Sequence, residues 1–419
     1  MVPGMTNTAD RVSVPLRSNR DFGLLWVSAA FSFLGTRATA LVYPMLVLWN
    51  GGSTTLAGLA GFAALLPQLV IQLPAGAYVD RWDRRRLMLV CEWGSLLALG
   101  SLAAAVLTDR LWLPHLFAVA FIEGSLMVFY QLAERAAVPQ LVAPDQLGAA
   151  YSQNEARTRG AALLGQPIGT SLFALGNALP LVFGAAVRLV SIGTLWGIRT
   201  RFQEKRRDAP APDVRAEISA GLSWVWRQRF LRAVMLVMAL TNMLFQMLTF
   251  AMLPLFHDEG RSEALVGVVL ACSSLGGLIG ALTAAAWMRR WSLRRILLAG
   301  TGVWAVVTTA IAFAPDVVSM GVLFAASGYV GGVFNVPAIV YVMRITPPDM
   351  QGRVGSVASM VAFGGMAFGW AAAGPLLTVV APRTGIAVIG ATLALVALAA
   401  AISPAIRRAH GTAETKPLG

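Results

Sequence analysis

Four ionisable side chains stand inside long apolar runs of this 419-residue chain: Arg37, Glu92, Glu123 and Arg188. A charge in hydrocarbon costs about 2.5–3.5 kcal/mol on insertion scales, so each is a functional candidate. A buried carboxylate near a cation is the residue type for moving protons. The cation favours its ionised form, apolar burial favours its protonated form, and a change in access to water tips the balance. Other chemistries lack their residues. A phosphate loop ends in Gly-Lys, yet Lys205 and Lys416 follow Glu204 and Thr415. His115, His257 and His410 lie at the edges of apolar runs or in the tail, with no His-Glu-x-x-His pattern, so no metal site is expected. A Gly-x-Ser-x-Gly nucleophile turn is also missing. The chain is read as a non-enzyme that needs no cofactor.

The elements that must hold these charges are membrane helices. Hydrophobic residues make up 57% of the chain and charged residues 13%, with a mean hydropathy of +0.68. A soluble domain carries about 25% charge and could not hide so much apolar surface. With roughly 20 apolar residues per spanning helix, the windows predict twelve spans. They are 22–49, 55–79, 87–108, 112–133, 153–175 and 179–198, then 233–255, 264–288, 294–313, 317–344, 355–378 and 384–405.

The net charge of +13 would suggest nucleic acid in a soluble protein. Here the basic residues gather at one end of the spans, and only Arg110, Arg261 and Arg383 fall at the other. The positive-inside rule then puts both termini in the cytoplasm and predicts no nucleic-acid partner. No removable signal peptide is apparent before the first run. Cys91 and Cys272 read as buried small hydrophobes, not a disulfide.

The longest hydrophilic stretch, Arg199 to Arg232, divides the chain. It opens as a Pro-rich linker, and from Val214 it alternates apolar and basic residues as an amphipathic helix on the inner leaflet would. Across it the chain repeats. Asp80 to Arg86 lies over Arg289 to Arg295 at an offset of 209, Pro44 over Pro254 at 210, and Gly124, Gly160 and Gly165 over Gly328, Gly364 and Gly369 at 204. This predicts an N-terminal six-helix bundle over 1–198, a linker over 199–232, and a C-terminal six-helix bundle with its tail over 233–419. Such duplicated halves mark secondary transporters that bind substrate between them.

The loop after the second span, Gly76-x-x-x-Asp80-Arg81-x-x-Arg84-Arg85, resembles the motif A loop of the major facilitator superfamily, with Asp83 where that pattern has glycine. Nearly the whole chain fits that superfamily. The resemblance implies an all-α integral membrane fold with two pseudo-symmetric bundles, and a gating role for the loop. Gly76 would allow close helix contact, and Asp80 would sit on the positive end of the eleventh helix near Gly352 to Gly355. Arg81, Arg84 and Arg85 would lock the cytoplasmic gate and anchor it to anionic lipid headgroups. Glu217 to Trp226, Ala136 to Val142 and Gln351 to Val354 are similar to the drug:proton antiporter branch that includes enterobactin and macrolide exporters. The superfamily's export pattern in the fifth helix, Gly-Pro-x-x-Gly-Gly, is approached by Gly165, Pro167 and Gly169, with Thr170 in the last place.

In the superfamily the first, fourth, seventh and tenth helices line the central cavity. On that lining Glu123 and Arg37 could meet across the cavity, and we read them as the proton-coupling pair, although relatives often have Gly-Asp where Arg37 follows Thr36; the other readings are a static ion pair and a substrate contact. Glu92 is expected near the cytoplasmic interface and Arg188 against a neighbouring helix or its carbonyls. The cavity candidates are Ser32, Thr36, Tyr43, Tyr130, Gln131, Asn242, Gln246, Phe250, Tyr329 and Asn335. A lining so apolar, with a few hydrogen-bonding groups and a lone acid, suits a small amphiphilic or cationic substrate. The expected function is drug or secondary-metabolite efflux in exchange for protons, in a monomer of a bacterial cytoplasmic membrane. A proton-symporting importer is the alternative, and a non-transporting scaffold or receptor the remote one.

Overall fold

The computed structural model describes residues 16–79, 81–200, 222–347 and 350–407. Among them every regular element is helical. The first span is α1 (Arg20–Thr39) with α2 (Val42–Trp49), and the second is α3 (Thr54–Val70) with α4 (Gln72–Val79). Then come α5 (Arg84–Leu107), α6 (Leu113–Leu141), α7 (Leu147–Leu175) and α8 (Leu179–Gly197). After α9 (222–227), the second set is α10 (Arg229–Asp258), α11 (Glu263–Arg290), α12 (Leu293–Ala312), α13 (Val317–Ile345), α14 (Gln351–Val379) and α15 (Pro382–Ile402), closed by α16 (Pro404–Arg407). Ten of these spans are long and apolar enough to cross a membrane. The exceptions are the second, where α3 has 17 residues, and the fifth, α7, which carries Glu155, Arg157 and Arg159.

Proline accounts for both broken spans. Pro44 cannot donate to the carbonyl of Ala40 and its ring presses on it, and the chain turns at residues 40–41. Pro74 stands in the same relation to Val70, next to the turn at Ile71. Pro254, the repeat partner of Pro44, lies inside an unbroken α10.

One expectation changes. The apolar windows end the fourth span at 133 and start the fifth at 153, whereas α6 and α7 nearly meet, with only residues 142–146 between them. The amphipathic stretch lies partly outside the described residues. Its described part buries Val225 with Leu231 against Val354 and Val357 of α14 and leaves Leu222 and Trp226 exposed.

The packing repeats as the sequence does. In the first half α1 packs on α8 and α7, α3 on α6, and α5 on α6 and α8; in the second, α10 packs on α15 and α14, α11 on α13, and α12 on α13 and α15. The halves join through α3 with α14 and through α7 with α11, which are repeat equivalents of each other.

Those joints rest on missing side chains. A Cβ on Gly58 would stand 2.6 Å from the Trp370 carbonyl oxygen, and one on Gly267 would stand 2.7 Å from Pro167 Cα. At the end opposite the first residues of α1, one apolar core runs through both halves, from Tyr43–Leu48 to Leu244, Phe250–Phe256, Val266 and Trp370. Trp49 Nε1 donates to Glu263 Oε1 across it at 2.5 Å, and its ring packs edge-on against His257. Toward the other end the cores separate. One holds Phe22, Leu25, Met88 and Tyr130, another Val234, Leu297 and Phe334.

Substituting Gly58→Val should therefore part the halves without unfolding either. On a background lacking Cys91 and Cys272, spin labels at 51 and 262 are expected to move apart and broaden in their distance distribution; an unchanged distribution would show that the contact does not hold this end shut.

Candidate functional site

Arg188, the middle residue of α8, is fully buried and forks between two carboxylates. Its Nη2 donates to Glu123 Oε1 at 2.9 Å and to Thr36 Oγ1 at 2.7 Å. Its Nη1 donates to Glu92 Oε1 at 3.2 Å and to Ser32 Oγ at 2.5 Å. Glu92 and Glu123 are buried as deeply as Arg188. The planar guanidinium fits this task because its donors point in fixed directions toward different helices. Four helices of the first half, α1, α5, α6 and α8, supply the cluster, and Ser32 and Thr36 reach it because residues four apart share a helix face. With both carboxylates ionised the formal charge is −1; one added proton makes it neutral.

The ion pair expected of Glu123 is thus present with a different cation. Arg37 is one residue past Thr36, about 100° around the helix. It is exposed and forms no ion pair among the described residues. Its Cβ instead meets the face of α7 where Gly165 has no side chain. Glu92, expected near the membrane edge, is a full partner of Arg188, and Arg188 finds carboxylates rather than carbonyls.

Polar groups continue toward the end that holds the start of α1. Ser28, one turn before Ser32, bonds the Tyr130 hydroxyl at 2.8 Å and the Ser191 hydroxyl at 2.7 Å. Beyond them Arg157 Nη2 pairs with Glu134 Oε1 at 3.1 Å, both buried, with Asn154 bonded to each and the Phe33 ring beneath the guanidinium. Sequence reasoning missed this pair by assigning Glu134 to a loop. The continuing apolar positions Ala133, Ala137 and Val138 were the available signal that the helix runs on.

The cavity candidates divide. Ser32 and Thr36 are occupied by Arg188. Tyr130 is buried within the first half, and Tyr43 and Phe250 within the shared core, where Phe250 packs edge-on against Trp370. The Tyr329 hydroxyl accepts from Trp287 Nε1 at 2.9 Å, tying α13 to α11. Gln131, Asn242, Gln246 and Asn335 stay accessible and make no side-chain hydrogen bond among the described residues. They form repeat pairs: Gln131 with Asn335, while Asn242 and Gln246 answer to Ser32 and Thr36.

In the loop between α4 and α5, Asp80 lies outside the described residues. A Cβ on Gly76 would meet nothing within 4 Å among the described residues. Asp83, the departure from the glycine pattern, caps α5 by accepting from Arg86 N at 2.8 Å. Its repeat partner Ser292 caps α12 in the same way, accepting from Arg295 N. Arg85 donates to the last carbonyls of α8, Leu195 O and Trp196 O, while Arg81 is exposed and Arg84 half-buried. On α7, Gly165 and Gly169 face Arg37 and Ala38 of α1, and Pro167 faces Gly267 of α11. The motif therefore wedges α7 between the two halves.

Removing Arg188 strands two buried carboxylates. Arg188→Met is expected to cost about 3–5 kcal/mol, read as thermal unfolding in detergent. Glu123→Gln should cost less because the amide still accepts, and adding Glu92→Gln and Glu123→Gln to Arg188→Met should recover much of the loss.

The Major Facilitator Superfamily model matches residues 25–261 and 257–417. The chain is 27% identical over 407 residues to the multidrug efflux pump Tap of Mycolicibacterium fortuitum, covering 92% of this chain and 96% of that one. It is 26% identical over 364 residues to Tap of Mycobacterium tuberculosis (strain ATCC 25618 / H37Rv), covering 84% and 86%. Among solved structures it is similar to the nucleoside transporter NupG, with a TM-score of 0.70 at 13% identity over 92% of this chain and 99% of that one. It is also similar to a bacterial homolog of the lysosomal transporter Spinster in an inward-facing, unoccupied conformation, with a TM-score of 0.72 at 13% identity over 93% and 96%. At those identities the solved structures speak for the fold, whereas the family model spans nearly all of the sequence: this chain belongs to the Major Facilitator Superfamily.

Proposed function

We propose that this protein exports small amphiphilic or cationic compounds from the cytoplasm in exchange for protons, by alternating access between its two halves. The observation that carries the coupling is the Arg188 cluster, which buries one more carboxylate than cation. A site that is anionic when empty and neutral with one proton can carry that proton through an apolar interior. Glu123 and Glu92 share the proton, Arg188 holds them in place, and Arg37 stays outside the exchange. The relatives named multidrug efflux pumps support the substrate class and the outward direction.

The concentration of arginine at one end puts both termini in the cytoplasm. On that orientation the shared core seals the outer face and the separated cores leave the cavity open inward. Substrate meets Gln131, Asn242, Gln246 and Asn335, whose unpaired amides can donate or accept as the substrate requires. Loosening of the joint between α3 and α14, with closure of the Asp80–Arg81 loop on the cytoplasmic side, exposes it to the outside. A single chain contains the whole pathway, so the monomer is the working unit.

The test is purified protein in proteoliposomes with an imposed pH gradient and a lipophilic cation such as tetraphenylphosphonium. Uphill movement of the cation opposite to protons is expected in the wild type. Glu123→Gln and Glu92→Gln should each lose the uphill phase while still binding the cation. Movement in the same direction as protons would overturn export, and normal uphill transport by both variants would overturn coupling at this cluster.

A further inference from the structure

An apolar hollow away from the interface between the halves lies wholly in the second half. α11 packs chiefly on α13 and α7, and α12 on α15 and α13, so α11 and α12 splay to either side of α13. The wedge between them is a cleft of about 500 Å³. Ile296, Gly300 and Val303 line it from α12, Tyr329 and Phe334 from α13, and Trp287 from α11. Its polar atoms turn away: the Tyr329 hydroxyl is held by Trp287 Nε1 and Thr283 Oγ1. What remains is hydrocarbon wall about two helical turns deep, from Ile296 to Val303.

The mouth is charged with one sign. Arg289, Arg290, Arg294 and Arg295 surround the turn between α11 and α12, and none forms an ion pair or side-chain hydrogen bond among the described residues. Arg290 shares a helix face with Trp287 (i, i+3) and Arg295 with Ala299 (i, i+4), so both stand one turn outside the cleft walls. The described acids of the second half, Asp258, Glu259, Glu263 and Asp316, are all at the opposite end. Trp287 and Trp291, stacked edge-on at 5.0 Å, mark the level where hydrocarbon gives way to headgroups.

We propose that this cleft is a binding site for one anionic phospholipid, an acyl chain lying along α12 between α11 and α13 and the headgroup phosphate held by Arg290 and Arg295. An apolar slot with an unneutralised basic rim matches such a molecule at both ends. A drug-like cation fits the slot but is repelled at the rim, and a free phosphate fits the rim but has no use for the slot. The site rests on the proposed orientation only for which leaflet supplies the lipid, and not at all on export or proton coupling.

Native mass spectrometry and thermal unfolding of the full chain in detergent test it without any transport. Phosphatidylglycerol is expected to bind and to raise the unfolding temperature more than phosphatidylcholine, and glycerol phosphate to do neither. Arg290→Gln with Arg295→Gln should weaken phosphatidylglycerol binding roughly thirtyfold, given the usual contribution of two arginines near a headgroup. A Cβ on Gly300 makes only ordinary contacts, at 3.6 Å and 3.8 Å, so Gly300→Leu should fold, fill the cleft and lose the preference by a second route. Equal binding of the two lipids, an unchanged preference in both variants, or displacement of phosphatidylglycerol by tetraphenylphosphonium would each overturn the proposal.

Discussion

A guanidinium in the middle of a membrane has no water to turn to, and every donor it offers must be met by protein. Arg188 meets that demand at both terminal nitrogens, drawing a carboxylate from α5, another from α6 and two hydroxyls from α1, while its Nε stays without a partner among the described residues. The first half is thereby pinned at its centre by directional bonds as well as by apolar contact. Among the described residues the second half has no such pin. The positions that answer to Glu92 and Glu123 by the repeat are Thr301 and Ser327, and there Trp304 Nε1 bonds the Ser327 hydroxyl in a neutral contact. The two halves repeat the same helices, and among the described residues this buried charge cluster stands in only one of them.

Between the halves the physics is reversed. Where α3 meets α14 and α7 meets α11, glycines such as Gly58 and Gly267 bring backbones together and few bonds cross. Thr54 and Thr55 reach Thr378 through hydroxyls, and Trp49 reaches Glu263. Contacts of this kind depend on shape and carry little directional energy, so they can be exchanged for an equivalent set at the opposite end. The contacts between the halves are smooth, and the cluster proposed to carry the proton sits where packing is fixed by directional bonds.

Much of this was legible in the residues. The twelve spans, the duplication and the loop motif follow from hydropathy, offset and spacing, because a membrane forces each backbone segment into a helix of set length. The identity of partners was less legible. Arg37 and Arg188 look alike in sequence, each a lone arginine in an apolar run, and choosing between them needs the rotation of α1 and α8 about their axes. That rotation is set by side chains on other helices. Glu134 was hidden for a related reason: it falls just past the apolar window that ends at 133, although α6 continues through it to pair with Arg157 of α7. The hydroxyls of Tyr130 and Tyr329 were read as facing the cavity, yet both are turned into their own half. One departure from the motif proved informative, since Asp83 forms its turn through capping and does not need glycine's freedom.

The unpaired amides complete the logic of the two halves. Ser32 and Thr36 are consumed by Arg188, while Asn242 and Gln246, their repeat partners, have no arginine to serve and remain free. Arg188 thus takes up the two hydroxyls of α1, while Gln131 of α6 stays accessible on the same side. The first half holds charge out of contact with the second, which presents neutral, adaptable groups to whatever enters between them. In the proposed function the proton stays within the first half while the substrate touches both halves, at Gln131 as well as at Asn242, Gln246 and Asn335, and the two communicate through the motion that reopens one end of the molecule as it closes the other.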